Sequence, residues 1–160
     1  MGRLDSRFTG IDRDSAGELS EFDPASANLS GAYTSMFNNY VRDDLKYEND
    51  LPYEVSAGLW ATWSYAEYQN QYVNVGETLR KAISMNPNLK VHVTNGYYDL
   101  ATPYFATQYT FDHLQLDPTL QKNISMSYYE AGHMMYIHIP SLKKMKEELS
   151  AFIKNSVPSK

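Results

Sequence analysis

Between residues 31 and 45 the large apolar side chains recur at three- and four-residue steps. Tyr33, Met36, Phe37, Tyr40, Val41 and Leu45 come after Ser30, and this spacing predicts an amphipathic helix with Ser30 as its N-cap. Val75, Leu79, Ala82 and Ile83 form a second helical stripe, which must stop before Pro87 in "MNPN". Two later runs, "LKVHVTNG" and "NISMSYYEAG", are short, partly β-branched and closed by turn signals. Each predicts a strand. A helix is expected after the first of them, with Pro103 near its first turn in "PYFATQYTFDHL". A closing helix is expected from near Pro140, with Leu142, Met145, Leu149, Phe152 and Ile153 on one side. Strand, helix, strand, helix with short connections predicts parallel strands joined by a right-handed crossover. The expected fold class is α/β, with a small, mostly parallel sheet and about four helices.

Two segments carry no period. Residues 3–30 scatter charges, glycines and a proline, and predict an irregular arm; "ENDLPYEVSAGLWATWSYAEYQNQ" reads mostly as an aromatic-rich loop. Two strands cannot cover the faces of four helices, so the pattern also predicts that part of the packing surface is missing from the chain. The expected division is an arm over 1–30 and one α/β unit over 31–160.

Composition narrows the partners. With 160 residues, 42% of them hydrophobic, the chain is long enough for one domain with a sizeable core. A net charge of −5 and no basic stripe argue against a nucleic-acid backbone. Lys143, Lys144, Lys146 and Lys154 read as the wet face of the last helix. The absence of Cys excludes disulfides, thiolate chemistry and sulfur-based zinc sites, and leaves the compartment open. "MGRLDSRF" lacks an apolar stretch after its positive charge, and no run reaches 18 apolar residues, so neither a membrane protein nor a visible precursor is expected.

Candidate chemistry lies where parallel sheets gather it, at the carboxyl ends of the strands. The first strand leads into "NGYYDLATP" with Asp99, and the second into "EAGHMMY" with His133. Neighbouring strands are about 4.8 Å apart, so the two side chains can come within hydrogen-bond reach. Such a carboxylate fixes the imidazole tautomer while the other ring nitrogen takes a proton from a nucleophile. Alone, Asp99 also reads as an Asx-type turn residue and His133 as a satisfied, partly buried histidine. Together, in the order Asp then His, they match the chain order of an α/β hydrolase downstream of its nucleophile. Glu130 and His133 have the spacing of a Glu-x-x-His metal pair, but that pair needs a helix and "EAG" continues a strand; no metal or other cofactor is expected. His92 inside a strand and His113 near a helix end read as structural. The 14 Tyr, with Trp60 and Trp63, could line a sugar or peptide cleft, but such residues more often supply core bulk with a polar tip, and that is the expectation here. Asn-x-Ser sites begin at Asn28 and Asn123.

A serine elbow needs small residues on both sides of the nucleophile. "RDSAG" around Ser15 and "EVSAG" around Ser56 have a glycine only downstream, and neither joins a strand to a helix. The nucleophile is therefore expected before residue 1.

The segments "RLDSRFTG", "NGYYDLATPYFATQYTFDHL" and "YYEAGHMMYIHIPSLKKMKEEL" together resemble the carboxyl-terminal part of bacterial serine carboxypeptidases, within the α/β-hydrolase superfamily. The resemblance runs over nearly the whole chain and is most specific at the Asp99 loop and at Gly132-His133-Met134. It implies that Asp99 is the triad acid, that His133 is the triad base, and that Met134 helps line the pocket for the leaving residue. Arg3 to Gly10 resembles the end of the family's inserted lid. The family's nucleophile lies in a Gly-Glu-Ser-Tyr-Gly type segment, whose Glu also recognises the substrate's terminal carboxylate; this chain has no such segment. The resemblance thus implies a peptide substrate for a longer parent, an acidic optimum and an exported parent, with this chain inactive alone. The alternative is a non-catalytic binding or scaffold domain that uses a Tyr-rich face. An open sheet edge would favour self-association in either case.

Overall fold

The computed structural model describes residues 1–13, 20–53 and 58–157. Its first helix, α1 (Pro24–Asn39), continues into a π-helical turn over Tyr40–Asp44. Among the described residues of the long loop after it, the regular structure is limited to 3₁₀ turns at Leu59–Thr62 and Ala66–Tyr68. Then come α2 (Gly76–Met85), β1 (Val91–Gly96), α3 (Tyr104–Asp112), the single turn α4 (Pro118–Gln121), β2 (Ile124–Tyr129) and α5 (Ile139–Ser156). Among the described residues the sheet has two strands, paired in parallel from Val91↔Ile124 to Gly96↔Tyr129. The chain is thus a mixture of helices with a small parallel sheet, in keeping with a partial α/β fold.

The start of α1 corrects the sequence reading. The helix begins at Pro24, so residues 24–30 of the expected arm are helical, and Ser30 lies inside the helix with its hydroxyl donating to the Ser26 carbonyl at 2.7 Å. The N-cap is Asp23, whose Oδ1 accepts the Ser26 N–H at 2.9 Å, with Pro24 next to it in the first turn. Asp-Pro is a strong helix start, and it wins over the later Ser because it satisfies an orphan donor with a preset φ. Asp23 Oδ2 also accepts the backbone N–H groups of Arg3 and Leu4, so one carboxylate starts the helix and holds the N-terminal segment.

The core is small. Among the described residues the buried apolar side chains include Ala25, Ile83, Leu114, Tyr129, Ala131 and Met135; Tyr129, Ala131 and Met135 cluster with Met145 of α5. His92 stacks on Phe152 with ring centroids 5.1 Å apart and bonds Ser125 Oγ through Nδ1 at 2.8 Å, so it is indeed a packed strand residue. His113 caps α3 with Nδ1 2.7 Å from the Tyr109 carbonyl. The stripe predicted on α1 is largely exposed, with Met36 at 73%, and Trp60 and Trp63 are 84% and 70% exposed, which overturns the expectation of core bulk for these two tryptophans, whereas Tyr129 does supply it. The chain exposes 12758 Å² in all. A compact monomer of 18.3 kDa exposes roughly 8,100 Å². The four lysines of α5 are exposed as expected, and no helix among the described residues is long and apolar enough to cross a membrane. Asn123 is buried, its amide donating to the Pro87 carbonyl at 2.7 Å and its oxygen accepting from Lys90. It is not presented as an acceptor for a glycan.

These contacts give a direct check on where α1 starts. Asp23→Ala removes the cap and two further acceptor contacts and is expected to cost about 1–2 kcal/mol in urea unfolding, whereas Ser30→Ala is expected to stay within about 0.5 kcal/mol. Equal effects would contradict the assignment.

Candidate active site

The last parallel pair, Gly96↔Tyr129, delivers the two strand-end loops side by side. Tyr97 N–H donates to the Tyr129 carbonyl at 3.0 Å and Tyr98 N–H to the Ala131 carbonyl at 3.1 Å, so the loops stay zipped for two residues beyond the strands. That approach has no room for side chains. A Cβ on Gly96 would lie 2.3 Å from the Gly132 carbonyl oxygen, and one on Gly132 would lie 2.4 Å from the Leu4 carbonyl oxygen. Glycine is required at both positions by space.

Asp99 and His133 meet in this corner. His133 Nδ1 is 2.8 Å from Asp99 Oδ2. The Asp99 carboxylate is 4% exposed and fully engaged: Oδ1 accepts the Ala101 and Thr102 N–H groups at 2.8 and 3.0 Å, and Oδ2 accepts the Thr102 hydroxyl at 2.6 Å. Burial is the largest influence on its pKa and raises it. The bonds from Thr102, His133 and Ala101 outweigh that, and the carboxyl titrates below its ordinary value. An ionised carboxylate only accepts, so the shared proton sits on Nδ1 and the neutral ring keeps its lone pair on Nε2. The Thr102 hydroxyl is also 3.3 Å from Nδ1. The imidazole is 46% exposed, and among the described residues Nε2 has no hydrogen-bond partner. The pair can hold a base in one tautomer with its basic nitrogen accessible.

Met134 is the next residue along the chain. It is half-buried and lines an open cavity of about 240 Å³ with Tyr33 and Phe37 of α1, Tyr53 and Tyr136. The apolar wall that faces Met134 therefore comes from α1, from Tyr53 of the following loop and from Tyr136.

Ser15 and Ser56, the nearest approaches to an elbow, lie outside the described residues. Glu130 does not join His133 as a metal pair: β2 ends at Tyr129 and no helix carries both residues. Among the described residues, no three His, Asp or Glu side chains gather in a way that would hold a metal ion. His138 bonds Ser141 Oγ at 2.8 Å at the head of α5 and stays apart from the pair.

The sequence reading missed Thr102 and Asp5. Thr102 had a local signal, because Asp-x-x-Thr in a turn commonly closes through side-chain bonds. Asp5 had none. It is 3% exposed, accepts the Gly132 N–H at 3.1 Å, and is gripped by Arg7 through its backbone N–H, Nε and Nη2. The Asp5 pKa is pulled down: burial raises it, and the Arg7 and Gly132 bonds prevail.

Compared with family models, curated proteins and solved structures, the chain matches none of them.

The direction of the Asp99 shift fixes a pH dependence. Its folded pKa lies below the unfolded value of about 3.9, so the unfolded chain binds more protons between the two values and stability rises with pH there. The contribution is complete above about pH 5 and is lost as pH falls through the folded value. Urea unfolding is expected to show a gap between wild type and Asp99→Asn that narrows from about pH 5 down to about pH 2. A gap constant over that window would contradict the role of the ionised carboxylate.

Proposed function

We propose that this chain is the carboxyl-terminal part of a serine carboxypeptidase of the α/β-hydrolase type, with Asp99 as triad acid, His133 as triad base, and the nucleophilic serine supplied by chain outside these 160 residues. One observation carries the reading: a buried, ionised Asp99 bonded at 2.8 Å to Nδ1 of an exposed His133, at the carboxyl ends of adjacent parallel strands. The order Asp then His, 34 residues apart, is the order of this superfamily after its serine. The large exposed surface and the apolar α1 stripe also support it, since both suit a unit that packs against more of the same sheet.

In this reading His133 Nε2 takes the proton of the serine hydroxyl as its oxygen bonds to the carbonyl carbon of the last peptide bond. The C–N bond then breaks, and the same proton passes from Nε2 to the leaving amine. Water enters, gives a proton to Nε2 and releases the acyl group, and the proton returns to the serine. Asp99 keeps Nδ1 protonated and stabilises the imidazolium throughout. Met134 and the aromatic wall of its cavity take the side chain of the leaving residue. Apolar lining gives that pocket shape selectivity rather than charge selectivity.

A second reading, a non-catalytic binding domain, draws support from the exposed Trp60, Trp63 and tyrosines, because aromatic residues dominate contact surfaces. Extending the reading frame upstream separates the two. The hydrolase reading expects a Gly-Glu-Ser type segment there and release of the terminal residue of a blocked dipeptide by the extended chain. In that chain His133→Ala is expected to lower kcat by on the order of 10⁶ and Asp99→Ala by on the order of 10⁴. The isolated 160-residue chain is expected to turn over no blocked dipeptide, and turnover sensitive to a serine inhibitor would contradict the proposal.

A further inference from the structure

Residues 2–8 lie across both strand-end loops. Arg3 and Tyr98 carbonyls accept the N–H groups of Leu100 and Ser6 at 3.0 and 2.9 Å, which ties the segment to the Asp99 loop. On the other side the Leu4 carbonyl accepts the His133 N–H at 2.7 Å, and Asp5 Oδ2 accepts the Gly132 N–H at 3.1 Å. Two successive peptide N–H groups are therefore held from one direction. With both fixed, the two peptide planes that flank Gly132 are held, and with them the backbone angles at Gly132 and the position of the His133 Cα from which the imidazole leaves the chain.

A tether alone does not call for a buried carboxylate. Burying that charge is costly unless it is paired and bonded, and here Arg7 supplies the pairing, with Nη2 at 2.6 Å and Nε at 3.0 Å. Arg7 is itself aimed: Nη1 donates to the Glu130 carbonyl at 3.0 Å, and its guanidinium lies 4.8 Å from the centre of the Tyr98 ring. Tyr98 precedes Asp99, and Glu130 lies three residues before His133. The Asp5–Arg7 pair thus touches the approach to both members of the dyad.

We infer that Asp5 is a positioning residue for His133, acting through the Gly132 N–H, with Arg7 orienting the Asp5 carboxylate. The inference rests on the reading of Asp99 and His133 as a working pair. Its consequence is that the N-terminal segment belongs to the site 127 residues away in sequence.

The test is the tautomer of His133, read from the ¹⁵N shifts of its ring in the 160-residue chain at a pH where the ring is neutral. A His133→Gln chain assigns the signals. Wild type is expected to show the proton fixed on Nδ1. Asp5→Asn, nearly isosteric, is expected to give averaged shifts of a tautomer mixture while the chain still unfolds cooperatively. A merely structural role would lower the unfolding midpoint and leave the tautomer alone. Fixed wild-type shifts in folded Asp5→Asn would overturn the inference, as would a mixture already present in wild type. If Asp5→Asn does not fold, Arg7→Leu is read in the same way, because Arg7 is on the exposed side of the pair; fixed shifts there would equally overturn it. The readout is the imidazole itself, so a failure of carboxypeptidase activity in a longer chain would leave this result standing.

Discussion

Parallel pairing of β1 with β2 is the constraint on which the site depends. Because the strands run the same way and are paired through Gly96↔Tyr129, their carboxyl ends emerge together, and the two loops leaving them must share one small volume. Gly96 and Gly132 make that volume usable. Each lacks the Cβ that would strike a carbonyl oxygen of the neighbouring segment. The 2.8 Å contact between Asp99 and His133 results from this backbone proximity, and the two loops need no long excursions to achieve it.

Electrostatics then divides the two residues' tasks. Asp99 is buried among donors and stays ionised, while His133 holds one nitrogen against it and leaves the other accessible. The same logic recurs under the loops, where Asp5 is buried and held ionised by Arg7 and a peptide N–H. Between β2 and α5 it serves packing: Tyr129 is pushed up to about 12 by burial and by donating to Glu148, which locks it as a neutral donor. Fixed protonation states at these positions give the corner a rigid hydrogen-bond pattern.

Periodicity made α2, α5 and both strands legible, because each depends on local patterning. Proximity of Asp99 and His133 was legible as well, since strand order and strand ends are enough to imply it. The start of α1 was misread because Ser30 and Asp23 both look like caps, and the choice fell to Pro24 and to the contacts Asp23 makes with Arg3 and Leu4. Trp60, Trp63 and the α1 stripe were misjudged for a different reason: a hydrophobic side chain reports that burial is favourable, but it does not say what it packs against. Asp5 was invisible because its partners are Gly132 and Arg7, one of them 127 residues away, and a glycine carries no side chain to pair with in sequence.

The central claim is that Asp99 and His133 serve a serine nucleophile, and it is tested most directly by labelling the upstream-extended chain with a serine-directed organophosphate. The account predicts that mass spectrometry finds one labelled serine, outside these 160 residues. It further predicts that the labelling rate falls as His133 becomes protonated and is lost in His133→Ala. Labelling that ignores His133→Ala, or no labelled serine at all, would contradict it.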